Sequence, residues 1–468
     1  MTFAHRFTRR ELLTAAAATA FVGCSTRQTT SDSQIDPRMK NMPLRPLPEL
    51  DAALRAISLT PGRELSSIAA LAMRGGQLVY ENAVGFARID ASQNVLATPD
   101  SMYRIASISK MFVAIVVVKL ADRGELDLDR DISDYLGYTL RNPHFPNSPI
   151  SLRMLLSHTS SLRDAGGYNF PESVPLRDVW LAGGSRFGKG EMWAKNRAPG
   201  QYFSYCNFAF GMIATVMECA SRVRFDRLME RELFTPLGVT ATFDPASLSA
   251  AQLARVATLY RKRAEVNGRE RWEPSGPWVA QVDDYARDAP KPRATDAYVV
   301  GTNGSVFGPQ GGLRISLRDL GRTMTMLMNG GRIDGRAVLS ERAVATLFSE
   351  QWRYSRAAFD GKGNRAEDDE GEGGLFNAWA LGPQLFLDVS EGRRGDRFVE
   401  GGGFKGVGHL GNAYGLTSAF AFDPARRDGM IFLVGGTASD PELNKGRYSA
   451  MYRYEEEILT AIHRAAIG

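Results

Sequence analysis

The chain has 468 residues, 44% of them hydrophobic, 23% charged and 10% aromatic, with a formal net charge of +5. This is an ordinary globular composition with room for two or three packed units. Much of the positive surplus lies near the start, where Arg6, Arg9, Arg10, Arg27, Arg38, Lys40 and Arg45 outnumber Glu11, Asp32 and Asp36; the rest is nearly neutral and has no basic stripe interleaved with aromatics, which excludes nucleic acid as a partner.

In chain order, residues 1–24 read as an export signal. The positive stretch "HRFTRREL" precedes the apolar run "LLTAAAATAFVG" and then Cys24. The run suits a signal h-region and is too short for a permanent membrane span. Arg9-Arg10 has the twin-arginine pattern, and Phe21-Val22-Gly23-Cys24 resembles a bacterial lipobox, with Cys24 as the lipidated residue. The alternative is a plain signal cut near Gly23. On either reading the protein is exported to the periplasm, and its only membrane attachment is a lipid at Cys24. No later segment is long and apolar enough to cross a bilayer. Only Cys206 and Cys219 remain; thirteen positions apart on one helix, they would be separated by roughly 20 Å, beyond disulfide reach.

Residues 25–48 are polar and proline-bearing and read as a tether. The folded domain spans 49–468. In "IAALAMRGGQLVYENAVGFARID", Gly75-Gly76 joins two strand-like runs into a hairpin. Near the other end, "GLTSAFAFDPARRDGMIFLVGG" gives two more strands, followed by an amphipathic helix from about Ser449 to Ala466. Between them "SLRMLLSHTS", "FAFGMIATVMECASR" and "SLRDLGRTMTMLMNGG" are helical in pattern. The fold class is therefore α+β: terminal strands pair into one antiparallel sheet flanked by helices, with a mostly helical subdomain inserted. Its sheet-bearing part covers about 49–124 and 305–468, and the helical part about 125–304. Residues 262–300 and the acidic, glycine-rich stretch within 355–403 carry no clear pattern.

Three short stretches carry chemistry. A helix starting at Ser107 in "MYRIASISKMFVAIVVVKLADRG" puts Ser107 and Lys110 one turn apart on one face, ending at Gly124. Ser107 would then lie where free backbone N–H groups favour a developing anion. For Lys110 to serve as a base, its pKa must fall from about 10.4 toward 7, which asks roughly 4–5 kcal/mol of its surroundings. Alone, S-x-x-K describes a capping serine and a snorkelling lysine better than a catalytic pair. The second stretch is "APGQYFSYCNFAFGMI", with Tyr205-Cys206-Asn207 just before a helix. Its tyrosine can relay a proton, and its asparagine can bond both a lysine and a substrate amide; by themselves they also fit a core tyrosine and an Asn N-cap. The third is "GVGHLGNAYGLTSAFAF", where His409-Leu410-Gly411 enters a strand whose edge could offer an N–H to an oxyanion.

In that order, Ser107-x-x-Lys110, Tyr205-x-Asn207 and His409-x-Gly411 resemble the three motifs of the serine β-lactamase/DD-peptidase superfamily. The nearest branch is the one holding class C β-lactamases, DD-carboxypeptidases, D-aminopeptidases and related esterases. "LLSHTSSL", "PGQYFSYCN" and "GGLRISLRDL" are similar to further hallmarks, and the likeness covers most of residues 60–350 and 400–435. The resemblance implies a serine hydrolase that forms an acyl-enzyme on Ser107, with Lys110 and Tyr205 sharing general-base and general-acid work. Asn207 would position Lys110 and the substrate amide. The backbone N–H groups of Ser107 and Asn412 would form the oxyanion hole, with His409 and Gly411 on the substrate side. His158 would be a structural residue at a helix end. No metal or cofactor is implied. The substrate would be a small peptide, amide or ester, most readily a D-amino-acid-containing fragment of peptidoglycan type, with an esterase, a β-lactamase or a non-catalytic wall-binding lipoprotein as the other readings. His409 stands where the family often has a lysine that pairs with a substrate carboxylate, which favours the peptidase, amidase and esterase branches. Ser161 stands where the family usually has glycine.

Other motifs fail on context. "GGGFKG" and "GVGHLG" fit G-x-G-x-x-G but lie outside any strand–helix dinucleotide unit. Asp127, Asp129 and Asp131 suggest a calcium loop, yet Ile132 and Tyr138 occupy the places of its required glycine and glutamate.

Overall fold

Alternation of side chains across a strand explains why the central strands read as continuous apolar runs: both of their faces are covered. The structure, a computed structural model, describes residues 46–90, 93–180, 192–266, 269–354, 374–391 and 395–468. The export signal, Cys24 and nearly all of the tether lie outside these residues, as does 355–373 of the acidic stretch. Strands β1 (Ser67–Arg74) and β2 (Gln77–Arg88) form the expected hairpin. Gly75 and Gly76 both have positive φ, +57° and +81°, as a tight two-residue connection requires. From the far end of the chain, β3 (Gly406–Ala413), β4 (Leu416–Asp423) and β5 (Asp428–Val434) pair in succession, and β5 pairs with β1, Ile68 opposite Val434. Strands from early and late in the chain thus share one antiparallel sheet, of nine strands among the described residues. Its order is Trp352–Arg353, Ala378–Trp379, Gln384–Phe386, β3, β4, β5, β1, β2 and Val95–Leu96.

On one face, Ile68, Ala70 and Ala72 of β1 and Met430, Phe432 and Val434 of β5 pack against the first helix, α1 (Pro48–Ser58), and the last, α5 (Arg453–Ile462), through Leu50, Leu54, Ile458, Leu459 and Ile462. On the other face, Ala69, Leu71, Met73, Ile431 and Leu433 meet α2 (Ser109–Asp122), α3 (Phe208–Ser221) and α4 (Leu317–Met328) in a much larger core. Helix α2 is buried on every side as far as Leu120 except at Lys119, which accounts for its nearly all-apolar sequence, and Gly124 ends it with φ +74°.

Three local readings change. Regular helix begins at Ser109, after a 3-10 turn over Ala106–Ile108 in which Ala106 has φ +48°. The last helix begins at Arg453 because the Glu456 carboxylate draws the preceding chain into a loop, accepting from the N–H groups of Arg447, Tyr448 and Ser449. The inserted region also holds a small sheet: Leu259–Val266 pairs with Arg269–Trp272, Trp278–Val282 and Gly436–Thr437. That sheet takes in part of 262–300, where short strands carry little alternation. No helix among the described residues is long and apolar enough to cross a membrane.

Candidate active site

Ser107 occupies the 3-10 turn between strand Met102–Arg104 and α2. The segment 309–316 braces this turn: Ile105 N–H donates to Leu313 O at 3.0 Å, and Leu313 N–H donates to Ser109 Oγ at 3.1 Å. From the other side β3 lies directly against it. A Cβ on Gly411 would come within 2.4 Å of Ser418 Oγ and 2.6 Å of Ile105 O, so only glycine lets the strand approach.

One turn beyond Ser107, at the start of α2, Lys110 is fully buried. Its Nζ donates to Ser107 Oγ at 3.0 Å, Asn207 Oδ1 at 2.8 Å and Gln310 O at 2.8 Å, and lies 4.9 Å from the centroid of the Tyr205 ring. Burial pulls the amine down to about 7, outweighing the opposing pull of Asp164. The Tyr205 hydroxyl hydrogen-bonds Ser107, and burial raises its pKa, so it remains protonated at neutral pH. Ser107, Lys110, Tyr205 and Asn207 therefore converge.

Asn207 adjoins the N-terminus of α3 without capping it. Its amide instead bridges Lys110 and the Asp164 carboxylate, donating to Asp164 Oδ2 at 2.8 Å. Asp164 also accepts from the N–H groups of Asn207 and Phe208, both at 2.9 Å, and so fixes the helix end that carries Asn207. The sequence motifs did not single out Asp164; its one signal is its place directly after "LLSHTSSLR".

His158 is buried, has φ +56°, and accepts from Cys206 N–H through Nδ1 at 3.1 Å. Its ring lies 4.4 Å from that of Tyr205, and burial holds its pKa well below the usual range. It packs against Tyr205, on which the Ser107 hydroxyl depends. Ser161 has φ +65°, which is why glycine suits its place, and its Oγ accepts from Asn142 at 3.1 Å.

His409 sits on β3, its ring 5.4 Å from Trp379 and 6.4 Å from Tyr205. Nδ1 donates to Leu410 O at 2.5 Å, which leaves Nε2 as an acceptor; Nε2 is buried and without a partner among the described residues. Burial, reinforced by Lys110, lowers its pKa to about 3, so the ring is neutral. The side chain of Asn412 turns to Tyr452, donating to its hydroxyl at 3.2 Å. These groups line a cavity of about 340 Å³ together with Arg104, Gln310, Phe376 and Glu455. Phe376 stacks on Tyr205 at 5.2 Å. Phe376 supplies part of the apolar wall and Trp379 packs behind it, Tyr205 and His409; single aromatics in unpatterned sequence gave no signal of either. Burial also pushes Glu455 up to about 7. Among the described residues no group of three or more acidic, histidine or cysteine side chains could hold a metal.

Comparison with known proteins bears on the family and the fold. A family model described as beta-lactamase matches residues 44–452. The D-alanyl-D-alanine-carboxypeptidase/endopeptidase AmpH of Escherichia coli K12 is 30% identical over 182 residues, 39% of this chain and 46% of that protein. The match thus spans less than half the length of this curated relative. Among solved structures, a beta-lactamase/D-alanine carboxypeptidase from Yersinia pestis superposes with TM-score 0.57 at 17% identity, covering 90% of this chain and 97% of that one. The D-amino acid amidase of Ochrobactrum anthropi gives TM-score 0.56 at 17% identity, covering 89% and 99%. At such identity these two show a shared fold.

Proposed function

The chain belongs to the beta-lactamase family and is a serine hydrolase, and from that premise we propose that it cleaves amide or peptide bonds of D-amino-acid-containing substrates through an acyl-enzyme on Ser107. The observation that carries this reading is the 3.0 Å bond between Ser107 Oγ and an amine that burial holds near neutrality. Above its pKa, Lys110 takes the hydroxyl proton as Oγ attacks the carbonyl carbon. The oxyanion forms beside the N–H groups of Ser107 and Asn412. As the C–N bond breaks, the Tyr205 hydroxyl gives its proton to the departing amine and is reprotonated from Lys110. Water then attacks the ester, losing its proton to the same pair, and Ser107 is released with a free acid. Asn207 and Asp164 hold Lys110 in place. Neutral His409 offers an acceptor, Nε2, to a substrate N–H.

Export rests on residues 1–24, and attachment to the membrane on Cys24. Measuring kcat/KM for a D-Ala-D-Ala peptide, a D-amino acid amide, a short-chain aryl ester and a β-lactam tests the substrate reading. The expected order puts peptide and amide first. Turnover confined to the ester would overturn it in favour of an esterase.

A further inference from the structure

Arg104 ends the strand that leads into the Ser107 turn, and its side chain lines the same cavity. Its Nε donates to Gly311 O at 3.0 Å, and its guanidinium carbon stands 4.6 Å from the centroid of the Tyr414 ring. Asp283, the acid whose field reaches Arg104, is taken by the fully buried Arg314 through bonds of 2.6 and 3.0 Å and by the Tyr285 hydroxyl at 2.8 Å. Arg293 and Arg314 add further positive potential. The other charged groups of the cavity wall are engaged: Lys445 pairs with Glu442 at 2.5 Å, and Glu455 accepts from Tyr452 N–H at 2.8 Å. Among the described residues no carboxylate lies within ion-pair distance of Arg104. A largely buried cation without a counter-ion is costly, and a guanidinium with free terminal N–H groups matches a carboxylate in a two-pronged bond.

We propose that Arg104 is an anion-binding residue of this cleft and receives a carboxylate of the substrate. The inference rests on the reading of Ser107 as nucleophile, and it gives this chain a carboxylate receptor although the third motif carries an uncharged histidine. The remaining Nη groups make the bond, and Tyr414 supports the plane of the guanidinium.

Two matched pairs of substrates test this. N-succinyl-D-alanine p-nitroanilide and its succinamide analogue place the carboxylate on the acyl side; acetyl-D-Ala-D-Ala and its C-terminal carboxamide place it on the leaving side. In at least one pair the wild-type protein should favour the carboxylate form by about 10- to 100-fold in kcat/KM, as a charge-assisted pair provides. Arg104→Met should erase that preference, costing the carboxylate member of the pair more than the neutral one, and Arg104→Lys should retain part of it. Equal turnover of both members of both pairs by the wild type, or equal loss on both members in Arg104→Met, overturns the proposal. If Arg104→Met does not fold, the wild-type comparison with Arg104→Lys decides. Calorimetry on the Ser107→Ala protein, with the succinyl and succinamide forms of the D-alanine anilide and with acetyl-D-Ala-D-Ala and its C-terminal carboxamide, separates this proposal from the reading of Ser107. Tighter binding of the carboxylate member of either pair, lost in Ser107→Ala/Arg104→Met, supports the subsite even if no turnover exists; equal binding within both pairs overturns it.

Discussion

Replacing Lys110 by methionine tests the electrostatics of the site in two independent ways. The amine titrates at about 7 in the fold against 10.5 in the unfolded chain, a difference worth about 5 kcal/mol. Between those values the unfolded state holds a proton that the folded state lacks, so stability rises with pH. The contribution is fully present above 10.5 and is lost as the pH falls toward about 7. From pH 9 to pH 7 the wild type should lose about 2 kcal/mol relative to Lys110→Met, read from urea unfolding of both proteins at each pH. The variant also strands Asn207 Oδ1 and Gln310 O, but that offset does not depend on pH, so the slope carries the test. In activity, wild-type kcat/KM should rise with pH through a midpoint near 7 as the free amine appears, and Lys110→Met should lose on the order of 10²–10⁴ of the rate. A stability difference that stays flat from pH 7 to 9, or an activity midpoint near 10, would refute the reasoning.

Gly411→Ala should lower kcat by more than about tenfold while the protein stays folded, because the new Cβ, 2.6 Å from Ile105 O, pushes β3 off the Ser107 turn; activity and far-UV circular dichroism check this. Asp164→Asn should cost about 1–3 kcal/mol in urea unfolding and reduce kcat for every substrate alike, since it weakens the bonds that hold Asn207 and the start of α3. Arg314→Met should cost about 3–5 kcal/mol because it leaves the Asp283 carboxylate buried and unpaired; denaturant titration reads it.

The sheet was legible because its central strands are short continuous apolar runs and its hairpin carries Gly75-Gly76, both local signals. Helix α2 was legible from its apolar run and Gly124, but its start was misplaced. Ser107 sits in a strained turn held by Leu313 and Gly411, partners some 200 and 300 positions away that no local pattern reveals. The small sheet around Leu259–Val266 escaped for a similar reason, since one of its pairings is to distant Gly436–Thr437. At the site, Ser107, Lys110, Tyr205, Asn207 and His409 stand out through residue type, spacing and resemblance to a family. Asp164, Gln310 and Trp379 do not, because burial and orientation are properties of the folded chain. Arg104 stands three positions before Ser107, but that no carboxylate among the described residues lies within ion-pair distance of it is visible only in three dimensions.

The most direct test is to treat the protein with a fluorophosphonate, measure its intact mass and map the modified peptide. One adduct per chain is expected, on the peptide that carries Ser107, and none on the Ser107→Ala protein. Substrate hydrolysis that persists in Ser107→Ala, or an adduct on another residue, would contradict it.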